Sequence, residues 1–198
     1  MRRKVGRPAV LLALALLLWG VPALAAPPEV VPDPVVEAAL EGDYGGIHYE
    51  IDFFGTKGVD SPTPNAAVEV RAYDSSGKQL GICNFGEETL DTPSSLLMDR
   101  GLLTASFTGS VPFDDCLGLG DATFDLEWAG TGKLSTYVTH SCESDSACHP
   151  VHKSRAAIAT GTVEFSSVPS FNVTADNSSA YISLIMTRFL NPGAPPAL

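Results

Sequence analysis

Thr123-Phe124-Asp125-Leu126-Glu127-Trp128-Ala129-Gly130-Thr131-Gly132 carries the pattern that decides the fold class. Phe124, Leu126 and Trp128 take alternate positions, with Thr123, Asp125 and Glu127 between them. Successive side chains of a strand point to opposite faces, so the segment reads as a half-buried strand with Trp128 on its core side. Ala129 to Gly132 reads as a tight turn. Leu134, Thr136 and Val138 then resume the alternation on a following strand.

The same period of two recurs on both sides. Tyr49, Ile51 and Phe53 alternate with His48, Glu50 and Asp52. Val68, Val70 and Ala72 alternate with Glu69 and Arg71; Asp74 to Lys78 is a turn, and Leu80 to Cys83 returns as the second arm of a hairpin. Leu103, Ala105 and Phe107 form another such set, as do Ala159, Gly161, Val163 and Phe165. Tyr181 to Leu190 is largely apolar and reads as a central strand. No long stretch after the first segment has a period of 3.6. The pattern therefore predicts an all-β fold of about eight antiparallel strands, a sandwich by preference and a barrel as the alternative.

The chain divides by composition. Met1-Arg2-Arg3-Lys4, an apolar run from Pro8 to Trp19 and an Ala23-Leu24-Ala25 end are the three parts of a secretory signal, with cleavage expected after Ala25. The apolar run is shorter than the roughly 20 residues a membrane span needs, and no later segment is long and apolar enough for a helical span. Residues 26–43, with Pro27, Pro28, Pro32 and Pro34, read as a Pro-rich extended lead-in, with one helical turn over Val35 to Leu40. The β domain is expected over residues 44–190 and a disordered tail over 191–198.

Four of the 12 basic residues and none of the 23 acidic ones lie in residues 1–25, which leaves 8 against 23, a net charge of −15. Such a chain is repelled by nucleic acid and by anionic lipid, and it lacks a basic footprint for nucleic-acid binding. Cys83, Cys116, Cys142 and Cys148 all follow the signal. In an oxidising compartment they are expected as disulfides. Three pairings are possible, and connectivity stays open; the preferred one pairs Cys142 with Cys148, six apart in a polar loop, and then Cys83 with Cys116.

Candidate chemistry is sparse. His140, His149 and His152 fall within thirteen residues, together with Cys142, Cys148, Glu143 and Asp145. Imidazoles at this density are candidate ligands for Zn²⁺ or Cu²⁺. The competing reading is a disulfide-closed loop, since oxidation removes both thiolates. Asp114, Asp115 and Asp121 sit in a Gly-rich turn without the ordered spacing of a calcium loop. Arg155 is expected in a surface ion pair with Glu127 or Asp125. Asn172-Val173-Thr174 and Asn177-Ser178-Ser179 match the glycosylation acceptor pattern. No nucleophile elbow, zincin motif, phosphate loop or dinucleotide fingerprint is present. No catalytic residue or bound cofactor is assigned. The expectation is a secreted or envelope-associated, non-catalytic binding or structural domain, with its partner an extracellular ligand or protein. Histidine-loop metal binding, an extracellular hydrolase and a carrier of apolar ligands are the alternatives.

Overall fold

The computed structural model describes residues 29–58, 60–91, 93–113, 116–138 and 150–189. Residues 1–28, with the expected signal, the residues after Phe189 and the cluster from His140 to His149 lie outside the described residues, as do Asp114 and Asp115. The described part is antiparallel β throughout, with ten strands: β1 Glu29–Tyr44, β2 Ile47–Thr56, β3 Asn65–Tyr73, β4 Gln79–Thr89, β5 Ser95–Met98, β6 Thr104–Val111, β7 Ala122–Gly130, β8 Ser135–Val138, β9 Val151–Phe165 and β10 Val168–Phe189.

All ten belong to one sheet, in the order β4-β3-β2-β1-β10-β9-β7-β6-β5, with β8 paired to the early part of β9. The chain leaves one edge at Thr89 and re-enters the other at Ser95. Laid flat, nine strands would put those edges about 38 Å apart at the usual strand spacing. The link between them reaches no more than about 21 Å when fully extended. A flat sheet is therefore excluded, and the sheet curls over its own inner face as a half-barrel. This form lies between the sandwich and the barrel: two walls face each other, yet one hydrogen-bonded sheet supplies both.

Contacts across the fold show the curl. Phe53 of β2 meets Phe107 of β6 edge-on at 4.7 Å, Phe124 of β7 at 5.4 Å and Trp128 at 5.9 Å. Trp128 Nε1 donates to the Glu37 carbonyl of β1 at 3.0 Å. In β7 the alternation is complete: Ala122, Phe124, Leu126 and Trp128 are buried, and the residues between them are exposed. The interior is thus filled by aromatic and branched side chains, at roughly 1.5–3 kcal/mol for each large one buried.

Two close approaches depend on glycine. A Cβ at Gly161 in β9 would fall on the Asp125 carbonyl oxygen and lie 2.9 Å from the Leu126 Cα. One at Gly130 would strike the Leu102 carbonyl oxygen and lie 2.6 Å from Arg155 Cδ.

The Cys83–Cys116 disulfide is present, with its Cα atoms 5.6 Å apart. It joins edge strand β4 to the 3₁₀ turn Cys116–Gly118 that follows β6, across the open side of the curl. The rings of Phe85 and Phe113, near it in the chain, meet edge-on with centroids 6.5 Å apart.

Several expectations are corrected. Residues 29–43 are not a lead-in: they form β1, which lies between β2 and β10, and Val35 to Leu40 are extended rather than helical. The prolines are tolerated because of where they sit. β2 pairs with β1 only from Val35 onward, so Pro32 and Pro34 lie on a stretch with β10 on one side. The Pro34 carbonyl accepts from Lys57 N on the other side, and a residue's N and C=O point the same way in a strand, so the missing N–H groups face away from β10. β8, the strand expected after Gly132, pairs with β9 where β9 has run past the end of β7. Leu103 is exposed, and Leu102 takes the buried position. The strand read from Tyr181 begins at Val168 and contains a bulge between Ala175 and Ala180. There Asp176 Oδ1 accepts from Ser178 N at 2.9 Å and from the hydroxyls of Ser178 and Ser179. The bulge switches the buried set from Phe171, Val173 and Ala175 to Ala180 and Ile182.

Candidate functional site

The body of the half-barrel ends where β7 stops at Gly130. The start of β1, the start of β9 and the end of β10 continue past it, with β8 on their flank. Among the described residues, few partners cover this flared end. Its residues from Pro32 to Pro34, Val151 to Arg155 and Ser183 to Met186 include no fully buried side chain.

Alternation sorts these strands into two faces. Pro34, Leu184, Lys153 and Thr136 are in register across four strands and share one face. Pro32, Met186, Val151 and Val138 are the next such row. Leu96 and Met98 of β5 approach this face from the opposite wall, and together they line a groove with Pro32, Pro34, Leu184 and Met186. Leu96 is a core residue, and Leu184 and Met98 pack against the core. The groove is therefore continuous with the apolar interior while open to solvent. Leu97, at 63% exposure, stands on its margin.

Arg100 and Lys153 share the groove wall. Arg155 lies two residues further along β9. It does not pair with Glu127 or Asp125 as expected. Its Nη1 donates to the Gly132 carbonyl at 2.7 Å and its Nη2 to the Gly101 carbonyl at 3.4 Å, so it ties the turn after β7 to the turn after β5. Carbonyl partners leave the guanidinium charge uncompensated. Among the described residues, none of Arg100, Lys153 and Arg155 is in an ion pair.

The one carboxylate in the groove lining is already used. Asp99 Oδ1 accepts from the backbone N–H of Leu103 and of Thr104, each at 2.6 Å, and Oδ2 from Gly101 N at 2.8 Å. The hydrogen bond from Thr104 N is the largest cause holding this carboxyl below its ordinary value of 3.8; those from Gly101 and Leu103 add to it. A carboxyl stabilised in its ionised form contributes stability above its unfolded pKa and loses it as pH falls through the lowered folded value. Asp74 and Asp176, lowered first by hydrogen bonds from the Ser76 and Ser178 side chains, act in the same direction. The thermal midpoint is accordingly expected to fall below about pH 4, and Asp99→Asn to show a shallower fall. Melting curves across that range check this; parallel slopes for the two proteins would contradict it.

Of the sequence candidates, His152 is described, and it lies on the opposite face from Lys153. Its ring stacks on Tyr137 at 4.7 Å and 5°. Asp33 occupies the same row, one strand beyond Ile185, and burial raises its pKa. His140, His149, Cys142 and Cys148 belong to the connection between β8 and β9, outside the described residues. Among the described residues there is no group of three or more His, Cys, Asp or Glu that could hold a metal ion. Trp128 is a core residue, as its alternation with Phe124 and Leu126 says. The other polar cluster, on the outer face of β2 and β3, is self-contained. Arg71 contacts Asp52 at 3.0 Å, Glu50 at 3.8 Å and Glu69, and Tyr73 donates to Glu50 at 3.0 Å. Exposed pairs of this kind contribute about 0–1 kcal/mol each.

No protein-family model matches the chain, and no curated protein matches it. Among solved structures, an AttH-like protein of Nitrosomonas europaea resembles it at a TM-score of 0.38 and 13% identity. The match covers 83% of this chain and 53% of that one, so the chain spans about half the length of that protein.

The groove was missed in the sequence because its walls come from β1, β5, β9 and β10. The available signal was a pair of prolines in line with Leu184 and Met186, which only the strand register reveals.

Proposed function

We propose that residues 1–25 are removed on export and that the remainder acts outside the cell or in its envelope as a non-catalytic binding domain. Its ligand sits at the flared end of the half-barrel. One observation carries this reading: an apolar groove joins the core to solvent at that end. Connected apolar surface left open to water is unfavourable, and on exported domains it marks a place that something else covers. The Cys83–Cys116 disulfide and the absence of any helix long and apolar enough to cross a membrane, among the described residues, are compatible with an extracellular or envelope location.

The test uses N-phenyl-1-naphthylamine, a neutral dye that brightens in apolar surroundings. The mature chain is expected to bind it saturably at one site. Leu97→Glu and Met186→Glu, which place charge on the groove, are expected to weaken uptake at least tenfold while leaving the circular dichroism spectrum unchanged. No saturable uptake by the native chain, or full uptake by both folded variants, would contradict the reading.

A further inference from the structure

The basic residues are segregated. Of the eight that follow residue 25, Lys57, Arg100, Lys133, Lys153 and Arg155 lie at the flared end by their place in the topology. Lys57 follows β2 beside Pro34, and Lys133 precedes β8. The opposite end has Asp43, Asp74, Asp121 and Glu164, with Lys78 as its cation. Asp33, Asp60 and Asp99 lie at the flared end as well, but Arg100 and Lys153 line the apolar groove without an ion-pair partner among the described residues.

We propose that the groove binds a single-chain amphiphile with an anionic head, a long-chain carboxylate. The inference rests on the binding reading above and names the ligand class for that site. The hydrocarbon chain lies along Pro32, Pro34, Leu96, Met98, Leu184 and Met186 and continues the core packing. The head meets Arg100 and Lys153, with the charge of Arg155 behind them. Asp99 does not compete for these cations, because three backbone amides hold its carboxylate. Desolvation beside the apolar wall strengthens a charge-assisted contact relative to bulk water. A bilayer surface is the poorer occupant, because the rest of the molecule is strongly acidic and is repelled by anionic lipid.

The test is displacement of the bound naphthylamine dye by dodecanoate and by dodecanol below their aggregation limits, at neutral pH. Dodecanoate is expected to displace it at about tenfold lower concentration. The preference should shrink on adding salt and fall to near unity in the Arg100→Gln/Lys153→Met double variant. Both substitutions leave the apolar wall in place, and dodecanol displacement by that variant serves as its folding control. Equal potency of acid and alcohol on the native chain would overturn the anionic-head inference and leave the binding reading intact. Displacement by neither would overturn the inference, whereas failure of the dye itself to bind would remove the binding reading as well. Co-flotation with anionic vesicles but no effect of dodecanoate would assign the end to membrane and also overturn it. So would dodecanoate acting only after deletion of residues 190–198, since the tail would then be the native occupant.

Discussion

Replacing Trp128 with alanine is expected to cost about 3–5 kcal/mol, the usual range for removing a large aromatic from a packed core. Trp128 is 2% exposed and packs on Phe53, which comes from the facing wall of the half-barrel. Its indole N–H also holds the Glu37 carbonyl of β1. The side chain therefore ties β7 to β1 and β2, which are not its sheet neighbours. Since a domain of this kind has only about 5–15 kcal/mol in total, the variant should lose a large share of its stability. Trp128→Phe separates the two contributions. It keeps most of the apolar contact but leaves the Glu37 carbonyl without its donor, an expected cost of about 1–3 kcal/mol. Urea unfolding followed by far-ultraviolet circular dichroism measures both, because the alanine variant produced without residues 1–25 has no tryptophan. A cost below about 1 kcal/mol for Trp128→Ala would mean that the two walls do not meet as described.

The second large effect is expected from the Cys83→Ala/Cys116→Ala variant. The sequence separation is 33, and loop closure of that length stabilises by about 4 kcal/mol in the chain-entropy account. The position of the bond adds a local prediction. It fastens β4, a sheet edge, to the turn between β6 and β7, so its loss should free β4 first. Hydrogen exchange should accelerate in β4 and in the Cys116 turn while β1, β9 and β10 remain protected at the centre of the sheet. The substitution is preferable to chemical reduction because it changes this bond alone. An unchanged urea midpoint, or loss of protection spread evenly over the sheet, would contradict the role assigned to the bond.

Much of the β architecture was legible because burial leaves a period of two. Tyr49, Ile51 and Phe53, and then Phe124, Leu126 and Trp128, point inward as their alternation says. The pattern failed where a local rule met a tertiary exception. Pro32 and Pro34 argued against a strand, and they are accommodated because their missing donors lie away from β10. The strand read from Tyr181 left out Asp176 to Ser179, which form a bulge inside a longer strand, capped by the Asp176 carboxylate. Leu103 fitted the alternation but gave its place to Leu102, because the turn that Asp99 organises shifts the phase by one. Arg155 was assigned a carboxylate partner, and it instead reaches two carbonyls that come near only when the turns after β5 and β7 meet.

From the sequence alone came the all-β class, the faces of most strands, the acidic charge balance and the Cys83–Cys116 pair. These depend on side-chain periodicity, composition and cysteine arithmetic, all of which are local. Tertiary structure alone decided which strands are neighbours, how far the sheet curls, and that apolar residues from four strands and three cations meet at one end. Alternation states which face of a strand is buried but is silent about which strand lies beside it. A groove built from β1, β5, β9 and β10 exists only once the short link from Thr89 to Ser95 has drawn the two edges together.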